Sequence, residues 1–421
     1  MKRDNNAILV VGSGGRCHAI VDALARSPRV GKIYCAPGNA GIAAQAECVG
    51  IGVTEIDALA DFAKSKGVDL TVVGPEAALA AGIADRFESE GLAIFGPTKA
   101  ATRIESSKEW AKTLMEKYGV PTGRYRAFDD FDESLAYVKA GSLPTVVKYD
   151  GLAAGKGVVV AESYEEAEAA LRDMLLDESF GKGRVIVEEF LDGPEFSFMC
   201  VVSGRKVYPL ALAQDHKRAY EGDKGPNTGG MGAYSPVPFV SEAVRERALR
   251  EIMQRTADAM VEEGCPFRGV LYGGLILTAD GPKVIEFNAR FGDPETEVVL
   301  PRLESDFLTL LEAALAEKDY VTEWSRETCL GVVLAAKGYP GKYVRDIELT
   351  MGEEPDARVF HMGTRRDESG RLKSAGGRVL MVCAMADTLA EAQMKAVAEA
   401  EAIACGELFY RRDIGHRGLE H

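Results

Sequence analysis

Between residues 284 and 290 the chain reads Val-Ile-Glu-Phe-Asn-Ala-Arg. In an extended segment alternate side chains share a face, which groups Glu286, Asn288 and Arg290 against Ile285, Phe287 and Ala289. A carboxylate beside an amide oxygen offers hard ligands that accept Mg²⁺ or Mn²⁺ equally. The adjacent guanidinium suits a phosphate oxygen. The turn that follows, Phe291-Gly292-Asp293-Pro294-Glu295, adds two carboxylates. Alternation alone would describe any amphipathic strand with a solvated face. The acid-amide-base order running into a Gly-Asp-Pro turn instead points to a metal and phosphate site over 285–295.

A second segment, 145–161, carries Lys148, Gly151, Gly155, Lys156 and Gly157. It is not a Walker A loop. Three residues rather than four separate Gly151 from Gly155, Lys156 precedes Gly157 rather than Ser or Thr, and a β-branched run follows where a helix is required. A hairpin with a flexible tip fits better, its glycines letting backbone amides approach phosphate while Lys148 reaches inward. In a third segment, 185–197, the backbone of Glu189, Phe190 and Leu191 suits an adenine edge and Glu195 the ribose hydroxyls. The fourth, 214–235, lacks periodicity, and structureless loops of that length are usually functional or disordered. Its Gly229, Gly230 and Gly232 suggest backbone approach to a ligand, and Asp215, His216, Lys217 and Arg218 supply both charges. The run Gly12-Ser-Gly-Gly-Arg-Cys-His18 fails as a dinucleotide fingerprint: Cys17 replaces the third glycine, and no acid ends the second strand. A helix N-terminus there, with Arg16 nearby, suits a single phosphate.

These segments need elements to hold them. Strands over 7–11, 32–35, 70–73 and 93–95 alternate with helices over 17–26, 57–66 and 77–90, which predicts a doubly wound parallel sheet with ligand loops at its carboxyl edge. After a helix over 108–118, strands at 145–149, 158–161 and 185–190 surround a helix over 164–176. Longer strands at 196–203, 206–212, 270–277 and 283–287, with helices over 242–263 and 305–316, predict an antiparallel α+β body. Strands at 331–335 and 378–384 and a helix over 389–403 close the chain. The expected domains are 1–105, 106–328 with a lid at about 123–193, and a small α/β domain at 329–421, in which 419–421 reads as a tag remnant.

The 421 residues exceed a single core, and 46% hydrophobic with 27% charged residues is ordinary globular composition. A net charge of −15 disfavours nucleic acid as a partner. No run is apolar enough for a membrane span and no targeting signal is legible. Eight scattered cysteines without a CxxC pair read as reduced thiols, hence a cytoplasmic protein.

Taken together, GSGGRCHA, APGNAG, LAAGKGVVVA, VEEFLDGPEFS, QDHKR, NTGGMGAYSP, IEFNARFGDPET and FYRRDIG resemble the phosphoribosylamine–glycine ligase family of the ATP-grasp superfamily, and the resemblance spans nearly the whole chain. It implies ATP-dependent joining of glycine to 5-phosphoribosylamine in purine biosynthesis, through a glycyl phosphate, by a monomer. The metal ligands it implies are Glu286 and Asn288. Nucleotide contacts fall on Lys108, Lys148, Gly155, Lys156, Gly157, Glu188, Glu189, Phe190, Leu191 and Glu195. Arg290, Lys148 and Asp215 are the implied catalytic groups. Gly14, Gly15, Arg16, Asn39, Glu76, Asp215, Asn227, Gly229, Gly230, Met231, Arg290, Asp293 and Pro294 are implied around the substrates. Cys17 and Glu297 depart from the family pattern, which carries Glu and Gln there. A carboxylase-type relative would lack QDHKR and NTGGMGAY; a catalytically silent one would lack Glu286, Asn288 or Arg290.

Overall fold

The computed structural model describes residues 5–151, 157–352 and 357–421. Asn6–Gly12 forms the centre of a five-stranded sheet with Val30–Pro37, Glu47–Cys48, Leu70–Val73 and Ile94–Phe95, and every pairing is parallel. Parallel strands are covered on both faces and so read as unbroken apolar runs; Ile8, Leu9, Val10 and Val11 are all fully buried. Leu9 and Val11 pack with Leu59, Ala63 and Phe87 from the helices Ile56–Lys66 and Ile83–Ser89. Ile8 and Val10 face the other way, into a core holding Ile20 and Leu24 of the helix Gly15–Ala25 together with Phe291, Val298 and Phe307. The N-terminal sheet thus shares its core with the chain just beyond Arg290, which fixes the 12–16 loop against the 285–295 segment.

The helix predicted over 77–90 is two, Glu76–Ala80 and Ile83–Ser89. Gly82 between them has φ of 90°, a left-handed conformation that ends one helix and that glycine adopts without steric cost. The predicted helix over 242–263 runs through, but Leu249–Gln254 within it is π-helical.

Two antiparallel four-stranded sheets follow. One orders Tyr125–Phe128, Val185–Glu189, Thr145–Tyr149 and Val158–Ala161, with the helices Phe131–Ala140 and Tyr164–Leu175 supplying its core. The other orders Lys206–Pro209, Glu195–Ser203, Arg268–Thr278 and Gly281–Asn288. A six-stranded sheet joins Gln214–Asp215, Gly232–Ser235, Thr328–Ala336, Arg378–Ala386, Arg358–His361 and Leu408–Phe409. The stretch 214–235 is therefore not structureless. It holds four strands of two to four residues, too short for alternation to register, and two of them extend the C-terminal sheet. Arg218–Tyr220 and Lys224–Asn227 pair as a separate hairpin. Among the described residues no helix is long and apolar enough to cross a membrane.

Candidate active site

The three regions meet around a cavity of about 500 Å³. One wall is the strand Gly281–Asn288, paired antiparallel with Arg268–Thr278 so that Asn288 lies opposite Tyr272 and Glu286 opposite Gly274. The next pair is Leu275 with Val284, which leaves Ile285 as an extra residue. Such a bulge re-aims side chains and frees a backbone group from the ladder. The Ile285 carbonyl accepts a hydrogen bond from Lys148 Nζ at 3.0 Å, tying the Thr145–Tyr149 strand to this wall. Simple alternation is consequently broken at Ile285 but holds from Glu286 to Asn288, where Phe287 is buried in the core. Ile285 and Phe287 border the cavity along with Glu286 and Asn288, and Arg290 enters from the turn beyond the strand.

The charges on this wall are ordered. Burial opposes ionisation of Glu286, but Lys148, Lys217, Lys108 and Arg290 together hold it below its ordinary pKa. Arg290 Nε lies 3.3 Å from Glu76 and 3.4 Å from Glu105, and its Nη2 donates to Asn288 Oδ1 at 3.3 Å. Burial works against that guanidinium too, and Glu105 and Glu76 outweigh it. Glu105 is itself fixed by the amide of Ala289, 2.7 Å away. Opposite, Lys108 Nζ donates to the Gly151 carbonyl at 2.8 Å. Glu188 Oε2 is 3.0 Å from both Lys112 and Lys148, while its buried Oε1 has no hydrogen-bond partner among the described residues.

At the far end Arg16 and Arg378 face each other across Asp293. Arg378 Nη1 is 2.9 Å from Asp293 Oδ1 and donates to the Gly229 carbonyl at 2.9 Å. Arg16 Nε is 3.6 Å from the other Asp293 oxygen, and its Nη1 donates to the Phe291 carbonyl at 2.9 Å. Glu76, Thr228, Gly229, Asp215 and Lys217 complete this end. Burial pushes Asp215 up to about 6 against the pull of Lys217, 3.1 Å away.

Of the residues expected from sequence, Arg16, Glu76, Lys108, Lys148, Gly157, Glu188, Asp215, Gly229, Glu286, Asn288, Arg290 and Asp293 line this cavity. Gly155 and Lys156 lie outside the described residues. The other expected residues stand off the wall. Glu189 turns outward to Arg124, Phe190 is exposed, and Leu191 packs near Gly123. Glu195 is half-exposed and pairs with Lys217 at 3.3 Å. Asn39 braces the fold, donating to the carbonyls of Ser13 and His361 while accepting from the amides of Gly41 and Ile42. Gly14 and Gly15 abut Asp293 and Glu297 from behind, and Gly230 packs on Pro294. Asn227 borders a separate groove with Val158 and Pro340. Met231 is the clearest correction: its side chain is fully buried in the C-terminal core, and both its backbone groups are bonded, to His216 and Val333.

Sequence reading passed over Glu105, Lys112, Tyr272 and Arg378, and named Lys217 and Glu295 only as charges of their segments; all six are on the wall. Lys112 follows Lys108 by one helical turn, a spacing that puts both on one face. Arg378 had no local signal, because only the tertiary fold brings it to Asp293. The two departures from the family pattern turn out to lie close together: Cys17 is in the same helical turn as Gly15, whose Cβ would overlap Glu297 Oε1, and burial pushes the Cys17 thiol up to about 12.

A metal fits this wall in one way. Among the described residues no three His, Cys, Asp or Glu side chains cluster to cage an ion. Mg²⁺ is commonly held by one or two protein oxygens with substrate phosphates supplying others, and Glu286 with Asn288 Oδ1 matches that sparse donor set.

Three family models match along the chain: phosphoribosylglycinamide synthetase N domain at residues 6–105, ATP-grasp (A) domain at 106–296 and C domain at 329–417. A phosphoribosylamine–glycine ligase from Halalkalibacterium halodurans is 52% identical over 416 residues, 98% of this chain and 97% of that one. The chain belongs to the phosphoribosylglycinamide synthetase family. A Listeria monocytogenes member is 52% identical over 97% of this chain and 99% of its own. The crystal structure of the Thermotoga maritima ligase superposes with a TM-score of 0.86 at 34% identity, covering 97% of this chain and 100% of that one. A biotin carboxylase from Campylobacter jejuni shares the ATP-grasp fold alone, at a TM-score of 0.73 and 15% identity over 99% of this chain and 95% of that one.

Proposed function

We propose that this cavity joins glycine to 5-phosphoribosylamine at the expense of ATP, giving glycinamide ribonucleotide, ADP and phosphate. The observation that carries the reading is one cavity lined both by Glu286, Asn288, Lys108 and Lys148 and by the Arg16–Asp293–Arg378 group, with Arg290 between them, sharing Glu76 Oε2 with Arg16 at 3.3 and 3.5 Å. The first set suits a metal-bound polyphosphate and the second an anionic sugar phosphate.

A glycine carboxylate oxygen attacks the γ-phosphorus and ADP departs. The amine of phosphoribosylamine then attacks the carbonyl carbon of the glycyl phosphate, and phosphate leaves with the oxygen that came from glycine. Lys148 and Arg290 neutralise charge on the phosphoryl group in flight, where positioning and electrostatics supply most of the catalysis. Asp215, pushed up to about 6, is suited to take the proton released by the attacking amine. Glu286 and Asn288 would hold Mg²⁺ or Mn²⁺, which when bound would supply charge neutralisation to the polyphosphate. Lys108, the 155–157 tip and Glu188 bind the nucleotide, with the backbone of Glu189, Phe190 and Leu191 at the adenine edge and Glu195 at the ribose. Gly14, Gly15, Arg16, Asn39, Glu76, Asn227, Gly229, Gly230, Asp293 and Pro294 shape the substrate end directly or from behind. The unit at about 123–193 acts as the lid of the 106–328 domain, which stands between domains 1–105 and 329–421 in the chain.

Glycine labelled with ¹⁸O in its carboxylate tests the route. One label should appear in each phosphate released, and unlabelled phosphate would rule out the glycyl phosphate.

A further inference from the structure

The helix Gly15–Ala25 starts against the short helix Thr296–Val299, and Glu297 fills the space between them. Glu297 is fully buried, and neither of its carboxyl oxygens has a hydrogen-bond partner among the described residues. The fit is close, since a Cβ on Gly15 would overlap Oε1. Four residues earlier, Asp293 uses the nearby cations: Arg378 Nη1 at 2.9 Å, Arg16 Nε at 3.6 Å and the Arg16 amide at 3.4 Å. The other titratable groups facing Glu297 offer no positive charge. Cys17 stands on the first helix, and Cys383, on the strand Arg378–Ala386, is hydrogen-bonded to Cys329. Arg302, on the turn after the short helix, is occupied by Ser235 and the carbonyls of Ser325 and Glu327.

Two buried carboxylates sharing the same two guanidinium groups cannot both ionise cheaply. Asp293 holds the better geometry, and Arg378 and Arg16 keep it below its ordinary pKa despite burial. Burial and the Asp293 charge push Glu297 the other way, well above the ordinary carboxylate range.

We propose that Glu297 is held as a neutral carboxylic acid, leaving Asp293 as the one carboxylate that bridges Arg16 and Arg378, with Glu76 on Arg16 alone at 3.5 Å, and so fixing both guanidinium groups at the substrate end of the cavity. Glu297 touches no substrate. It is a positioning residue that acts through Asp293, and its ionisation would place a second negative charge behind the arginines and pull them off the wall.

Infrared difference spectra of the unliganded full chain and Glu297→Gln read the protonation state directly. A protonated carboxyl carbonyl band at neutral pH, lost in the variant, is expected; its absence from the wild type would overturn the proposal. Kinetics read the positioning. As pH rises through the Glu297 titration, KM for freshly generated phosphoribosylamine should climb by up to about tenfold per pH unit, with kcat less affected. Glu297→Gln should match the wild type at neutral pH and lose that climb; an unchanged climb would overturn the positioning role. Should Glu297→Gln fold poorly, Asp293→Asn serves instead. Without the competing charge Glu297 should ionise and its carbonyl band disappear, and persistence of the band would overturn the coupling. The kinetic arm rests on the proposed substrate and the infrared arm does not, so failure of one reading is distinguishable from failure of the other.

Discussion

Glu286 sits across the strand pair from Gly274, so no partner-strand side chain stands directly opposite it. A Cβ on Gly274 would come within 3.3 Å of Glu286 Cγ. The carboxylate's freedom to meet a cation is thus set by a residue on another strand. Gly274→Ala should displace it and weaken the apparent affinity for Mg²⁺ roughly tenfold, the lower scale for disturbing a group that orients a ligand. Glu286→Gln, which removes the charge itself, should cost turnover on the order of 10²-fold or more. A metal titration of activity separates the two: added Mg²⁺ should restore Gly274→Ala and leave Glu286→Gln impaired. Near-normal turnover in Glu286→Gln at saturating metal would rule out the assigned ligand.

Arg290 binds Asn288 while Glu76 and Glu105 sit at its Nε side. A lysine cannot hold that planar arrangement and still present a donor to phosphate. Arg290→Lys should lower kcat by about 10²-fold, the scale for one lost transition-state donor, with a smaller change in KM for ATP. Steady-state kinetics with ATP varied decides it; an effect confined to KM would assign Arg290 to binding alone.

Asp215 is raised from the ordinary 3.8 to about 6. If its carboxylate accepts the amine's proton, kcat should fall as pH drops below about 6, and Asp215→Asn should lose most activity along with that acid limb. Stability has the opposite sign. Between 3.8 and about 6 the folded protein keeps a proton that the unfolded chain has lost, so the contribution of this group is full below 3.8 and is lost as pH rises through 6. Asp215→Asn should therefore gain stability relative to the wild type as pH rises through this window, measurable as Tm against pH.

Arg411 is fully buried, with Asp413 at 2.7 Å, Asp223 at 3.0 Å and the Arg218 carbonyl at 2.9 Å. It fastens the 218–227 hairpin to the C-terminal segment. Arg411→Met should destabilise the protein by about 3 kcal/mol, the low end for breaking a buried pair, because Asp223 keeps Arg417 at 2.6 Å. Denaturant unfolding measures this; a loss below about 1 kcal/mol would mean the pair is no stronger than a surface one.

The sheets and much of the cavity wall were legible because their signals are local. Four consecutive apolar residues, Ile8 to Val11, announced the central parallel strand, and the order Glu286, Asn288, Arg290 drew attention to a stretch that lines the cavity. What escaped was set by tertiary contact. The extra residue at Ile285 undoes strict alternation, and it appears only when the partner strand is known. Arg378 reaches Asp293 from 85 residues away, and Glu297, marked in the sequence only as a departure from the family pattern, shows its burial only in the fold. Met231 misled in the opposite direction: glycine-rich surroundings suggested a ligand loop, but its own side chain belongs to the core.

The most direct test of the account measures phosphate release from ATP with glycine and freshly generated phosphoribosylamine, each omitted in turn. Release should require both substrates and match glycinamide ribonucleotide formed one for one. Full-rate release with either substrate absent, or none with both present, would contradict the assignment of this cavity.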